Sequence, residues 1–97
     1  MIYNIILQPG AEDDIDDAYY WYEHQRSGLG EEFLDELIEY YEKLKHNPAT
    51  FKWANKEYRQ AGMHRFPYAL VYKVIEAEVI IYAVFHTSRN PKHKFRH

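Results

Sequence analysis

The 97-residue chain has no cysteine, which removes disulfides, thiolate nucleophiles and cysteine-ligated zinc from consideration. Glycine and proline are scarce, at four each, so the chain has few places to turn tightly and no room for a flexible linker. No apolar stretch approaches the ~20 residues of a membrane span. The N-terminus also lacks the basic, apolar and small-residue layout of a signal peptide. Together these absences predict a cytoplasmic protein with no membrane partner. Glycine-rich phosphate loops, a nucleophile elbow and a His-Glu-x-x-His helix are missing too, and no cofactor or metal is expected.

Charge is short of one sign in each half. Residues 1–48 carry twelve Asp/Glu against three Lys/Arg, and residues 49–97 carry three against nine. The positive half suits nucleic acid or an acidic protein, whereas the negative half would repel a phosphate backbone. Aromatic residues are plentiful, with ten Tyr, five Phe and two Trp. Their rings can supply much of the buried area that one small core needs, and the length allows a single domain over 1–97.

Ile2 to Leu7 is β-branched and aromatic and predicts a strand buried on both faces, ended by Pro9-Gly10. From 11 to 25 the period changes to that of a helix, with Ala11, Ile15, Ala18, Tyr19 and Tyr22 on one stripe. Ser27-Gly28-Leu29-Gly30 breaks it. A second helix over 31–46 buries Phe33, Leu37, Tyr40, Tyr41 and Leu44, and Asn47-Pro48 stops it. The segment from Thr50 to Lys56 predicts a loop anchored by Phe51 or Trp53. Strands follow over 57–64, 67–75 and 78–87, with Glu76-Ala77 at the last turn and a basic tail over 88–97. The fold class is α+β in the order β-α-α-β-β-β. An antiparallel helical hairpin should cover one face of a three-stranded antiparallel meander extended by the first strand. The other face is expected to be partly open. Outward-facing tyrosines, Tyr20 for instance, are candidates to anchor a protein partner.

The segment from Met63 to Pro91 concentrates the candidate chemistry. Arg65 precedes one strand of a hairpin, and His86 and Arg89 follow the other, so hairpin geometry brings Arg65 near His86. RNA can be cleaved at its own 2′-hydroxyl without metal or protein nucleophile, given an acid, a base and cations on the phosphate. Histidine and arginine suit those roles; strand-end capping is the commoner role of such a pair. Lys92, His93, Lys94 and Arg96 are candidate phosphate or target contacts in the tail. His86, His93 and His97 match no standard metal-ligand spacing.

The order of several short motifs resembles the RelE/ParE toxin superfamily of bacterial type II toxin–antitoxin systems, on its ParE-like side. The first strand leads into Ala11-Glu12-Asp13-Asp14-Ile15, followed by Trp21-Tyr22-Glu23 and by Gly28-Leu29-Gly30 before Phe33. Asn47-Pro48, Arg65-Phe66-Pro67-Tyr68, Val71-Tyr72 and Ala83-Val84-Phe85-His86 with Arg89 and Pro91 complete the set. The resemblance implies a plasmid-stabilisation-like, growth-inhibiting toxin that a cognate antitoxin neutralises in a hetero-oligomer. It leaves two targets open: DNA gyrase for ParE-like members, and mRNA on the ribosome for RelE-like endoribonucleases. A relic that only binds antitoxin is the third reading. As a nuclease the chain would be an enzyme with Arg65, His86 and Arg89 as catalytic candidates; as a gyrase inhibitor it would not. Ala69 stands where RelE itself has an arginine, and Phe95 replaces the C-terminal tyrosine.

Overall fold

In the computed structural model, which describes residues 1–88, the apolar periods resolve into a four-stranded sheet with two helices on one face. The elements are β1 (Asn4–Leu7), α1 (Pro9–Gln25), α2 (Leu29–His46), a 3₁₀ turn (Pro48–Thr50), β2 (Arg59–Gly62), β3 (Tyr68–Ile75) and β4 (Glu78–His86). Strands β2, β3 and β4 form the expected antiparallel meander, and β1 lies parallel to β4 in the order β1-β4-β3-β2. Both helices begin two residues before the sequence-based limits. Pro9 opens α1 instead of separating it from β1, because its missing N–H falls among donors that have no intrahelical partner. Gly28, at φ 90, supplies the left-handed residue from which α2 departs.

Two expectations about the strands are corrected. β1 is an edge strand and alternates between exposed and half-buried residues, so it is not buried on both faces. One side pairs with β4; on the other, the end of α2 intervenes, where the Tyr3 N–H donates to the Lys45 carbonyl at 2.9 Å. β2 spans only Arg59–Gly62 of the expected 57–64, since the segment before it turns on Asn55, whose Oδ1 accepts the N–H groups of Glu57 and Tyr58.

The main core lies between sheet and helices. Tyr68, Leu70 and Tyr72 of β3, with Val79, Ile81 and Val84 of β4, meet Ala11, Ile15, Ala18, Tyr22, Phe33, Leu37, Tyr40 and Leu44. A β-bulge sets this side-chain order. Val71 pairs with Ala83 and Tyr72 with Ile81, so Tyr82 is left over, and the inward parity moves from Val79 and Ile81 to Val84. Beyond the end of β1, the Val84 N–H donates to the Asp14 carboxylate of α1 at 2.9 Å. The far face of the sheet is also less open than the pattern suggested. Ala69, Val71 and Phe85 are buried there, with Tyr58 and Ala83 packed against them, and Tyr58 meets Tyr82 edge to face at 5.3 Å.

Of the two anchors proposed for the loop after α2, the structure uses Phe51, whose ring lies 6.1 Å from that of Tyr40. Trp53 is 57% exposed. The Tyr72 hydroxyl donates to the Pro48 carbonyl, and burial pushes this phenol up to about 12.

The helices approach closely at Gly30, where a Cβ would stand 2.7 Å from both the Tyr19 carbonyl oxygen and Glu23 Cγ. The Gly30 N–H donates to Glu23 Oε1 at 2.8 Å, so the close approach also satisfies a helix-end donor. Gly30→Ala should cost about 1–3 kcal/mol through overpacking, measured by urea unfolding. An unchanged midpoint would mean that the hairpin can widen without loss.

Candidate functional site

Among the described residues, the following three places carry polar or exposed apolar groups suited to contact with another molecule. The first is the junction of α2 with the loop between β2 and β3. Glu36 sits on the buried stripe of α2, three residues after Phe33 and four before Tyr40, and is 8% exposed. Its Oε2 accepts the N–H groups of His64 at 3.0 Å and Arg65 at 2.8 Å, and its Oε1 accepts that of Phe66 at 3.2 Å. Three consecutive amides thus form a concave anion site already filled by the protein's own carboxylate.

Sequence reasoning missed Glu36. The available signal was its period, which places an acid on an apolar stripe, where burial demands hydrogen-bond donors. Next to it, the Phe66 ring packs edge-on against Tyr22 (centroids 4.8 Å) and Phe33 (5.5 Å). This ties the loop to both helices.

Arg65 is directed away from the sheet. Its guanidinium pairs with Glu32 on α2 and lies 5.0 Å from the Phe66 ring centroid. Glu32 also takes Arg26 at 3.2 Å. Hydrogen bonds from Arg65, then from Arg26, hold the Glu32 carboxyl below its ordinary value. That contribution is complete above the unfolded carboxyl's pKa and is lost as pH falls through the depressed folded value. The cleft around Arg65 is lined by Glu32, Asp35, Glu36, Glu39 and His64, so the candidate cation stands among four carboxylates.

His86 ends β4. It pairs with Tyr68 across the sheet, as hairpin geometry required, and the two rings meet edge-on at 5.2 Å. The pairing therefore sets His86 opposite a residue only three positions after Arg65, while the Arg65 side chain is held on α2. The His86 Nδ1 accepts the Ser88 N–H at 3.1 Å, which puts the proton of the neutral ring on Nε2. Ala69, opposite Phe85 in the register, is fully buried in the far-face cluster. Arg89, Lys92, His93, Lys94, Phe95, Arg96 and His97 lie outside the described residues. Among the described residues no group of three or more His, Asp or Glu is arranged to hold a metal ion.

The second place is a shallow groove on the helical hairpin, with Leu7, Ile15, Leu34, Leu37, Ile38 and Tyr41 as its floor and Glu12 and Asp16 beside them. Ile38 is 54% exposed there. The third is a cleft at the other end of α2, bounded by Tyr3, Pro48, Trp53, Arg59 and Lys73. Tyr20, the expected outward tyrosine, is 61% exposed on α1 and touches Tyr19 edge-on at 5.1 Å.

A four-stranded mixed sheet, a helical hairpin on one face and the motif order along the chain define a small toxin of the RelE/ParE type. Residues 5–91 match the family profile described as ParE toxin of type II toxin-antitoxin system, parDE. The chain belongs to the ParE toxin family. A search of curated protein sequences returns no match. A solved structure described as "Chromosomal ParDE TA system from P. aeruginosa" shares the fold, with a TM-score of 0.79 at 15% identity over 90% of this chain and 98% of that one. Membership of a paired system implies an antitoxin partner. No helix among the described residues is long and apolar enough to cross a membrane.

Removing the Glu36 carboxylate should cost about 2–3 kcal/mol, because three amides at or near the core lose their acceptor together. Glu36→Gln should fall between, since its amide NH₂ cannot accept. Hydrogen exchange of the 64–66 amides reads the effect directly. Wild-type protection in Glu36→Ala would show that the loop is held by its aromatic contacts alone.

Proposed function

We propose that this ParE-family toxin acts as a binding module that inhibits DNA gyrase in the cytoplasm and is neutralised by a cognate antitoxin in a hetero-oligomer. The observation that carries this reading is the setting of Arg65. Cleavage of RNA needs cations arrayed for a phosphate and an unencumbered acid–base pair, but Arg65 is paired with Glu32 among four carboxylates. The His86 Nδ1 is engaged by the Ser88 amide. Ala69 adds no charge on the sheet and is buried there beside Phe85.

The antitoxin's place is assigned by the same reading to the hairpin groove. An amphipathic helix laid along Leu34, Ile38 and Tyr41 would cover the exposed Ile38, and basic residues at its margins would meet Glu12 and Asp16. Ribosome-dependent cleavage by Arg65, His86 and Arg89 is the competing reading, favoured only by the approach of the Arg65 loop to the end of β4.

Expression without the antitoxin should halt growth with loss of plasmid supercoiling before protein synthesis falls, and His86→Ala should behave as wild type. Early cleavage of mRNA that His86→Ala abolishes would replace this reading with the nuclease. Normal growth together with normal supercoiling would leave only the antitoxin-binding relic. Separately, Ile38→Arg should keep the toxin active while weakening neutralisation by about tenfold or more, as expected for a central apolar anchor. Co-expression growth curves and pull-down of the complex measure it.

A further inference from the structure

The end of the molecule that carries the β3–β4 turn exposes several large apolar residues alongside the turn's own acids, Glu76 and Glu78. Of the nine exposed large hydrophobic residues among those described, five are Met1, Ile2, Trp53, Val74 and Ile75. β1 runs parallel to β4 with Asn4 beside Glu78, so the residues before Asn4 continue past the start of β4 and join Ile75 at this end. Between Tyr3, Pro48, Trp53 and Val74 lies a cleft of about 200 Å³, flanked by Arg59, Lys73 and Glu57. That volume is below the roughly 300–1,000 Å³ of pockets that hold drug-sized ligands. It suits one bulky side chain.

The cations of the cleft are positioned in advance. The Arg59 guanidinium lies 4.0 Å from the Trp53 ring centroid and donates to the Phe51 carbonyl at 2.7 Å. Main-chain pairing fixes this arrangement, because Trp53 forms a β-bridge with Arg59 and the Gln60 N–H donates to the Lys52 carbonyl. Lys73 Nζ lies 3.3 Å from Glu57 Oε2, and the Glu57 side chain is 66% exposed. Glu57 therefore shows where a carboxylate sits against Lys73, in a pair exposed enough to exchange with an incoming acid. Lys52 and Lys56 on the same loop add positive charge.

We propose that this cleft is a docking site for an acidic segment of a protein partner, which inserts one bulky apolar side chain between Tyr3, Pro48, Trp53 and Val74 and places a carboxylate on Lys73. A single-stranded nucleic acid fits the same surface less well. Its affinity would depend on stacking bases on aromatic faces, and Arg59 already covers a face of Trp53. The cleft shares no lining residue with the hairpin groove, so the inference holds whichever target the toxin has.

The test uses the purified chain and a fluorescein-labelled acidic nonapeptide of Asp, Glu and Gly around a central Leu, with anisotropy as the readout. The peptide should bind, and changing its central Leu to Ser should weaken binding about tenfold or more through loss of the apolar contact. Trp53→Ala, Lys73→Gln and Lys73→Glu should each weaken it severalfold, in that rising order. Circular dichroism and the urea midpoint identify variants that remain folded, and Val74→Glu, at an exposed position, is a second block of the same cleft. Binding should weaken as salt is raised, in keeping with a charge-assisted contact. Absence of peptide binding overturns the proposal. So does binding that folded Trp53 and Lys73 variants retain in full, or that a peptide with central Ser matches. Displacement of the peptide by an oligothymidylate that itself binds more tightly would assign the cleft to nucleic acid instead.

Discussion

A carboxylate among aromatic rings is tolerable only when its lone pairs are engaged, and Glu36 meets that condition through the main chain of a distant loop. The arrangement couples elements that neither hydrophobic burial nor strand pairing would join with the same specificity. Burial of Phe66 against Tyr22 and Phe33 is non-directional and could be met by several loop conformations. Three amides aimed at two oxygens leave few. The start of β3, and through the Tyr68–His86 pair the end of β4, therefore take their positions from a residue in the middle of α2. The Arg65 side chain follows, because the amide bound to Glu36 places its guanidinium beside Glu32, one helical turn earlier.

The uneven charge of the sequence acquires a physical meaning in this frame. Most of the acids lie on the two helices, while five of the eight Lys and Arg among the described residues are on the sheet and its loops, and the contacts across the junction are few and local. The four described ion pairs are exposed or partly exposed, so they orient side chains more than they stabilise the fold. Stability rests instead on the aromatic and aliphatic layer between hairpin and sheet, closed at its far end by Tyr72 against Pro48.

Periodicity was informative where one face of an element decides its structure. The stripes through Ala11, Ile15, Ala18 and Tyr22, and through Phe33, Leu37, Tyr40 and Leu44, are the buried faces of α1 and α2. The run from Tyr68 to Ile75 is the central strand it suggested, and its neighbours in the register follow from the Glu76-Ala77 turn. Features set by tertiary contact were not legible in this way. Apolar composition does not distinguish an edge strand such as β1 from a central one, since the difference lies in what stands on either side. The bulge at Tyr82 changes parity within an unbroken apolar run, so alternation gives no warning of it. Hairpin alternation puts Arg65, before β3, and His86, at the end of β4, at the same end of the hairpin, but the direction of the Arg65 side chain depends on Glu32 and Glu36, which belong to another element.

A small, tightly packed sheet of this kind gives a toxin little interior in which to perform chemistry but a good deal of rigid surface. The hairpin groove and the cleft beside Trp53 have apolar floors and charged margins, acidic on the hairpin and predominantly basic around Trp53. Opposite signs on two separate surfaces favour two different partners over two copies of one, because a segment complementary to the first would be repelled by the second. The cost of ordering a partner is reduced where the cations are already held, as Arg59 is by Trp53 and Phe51. In such a protein, binding a partner is a problem of surface recognition: the core holds each surface in shape, and the pattern of charge around it selects what binds.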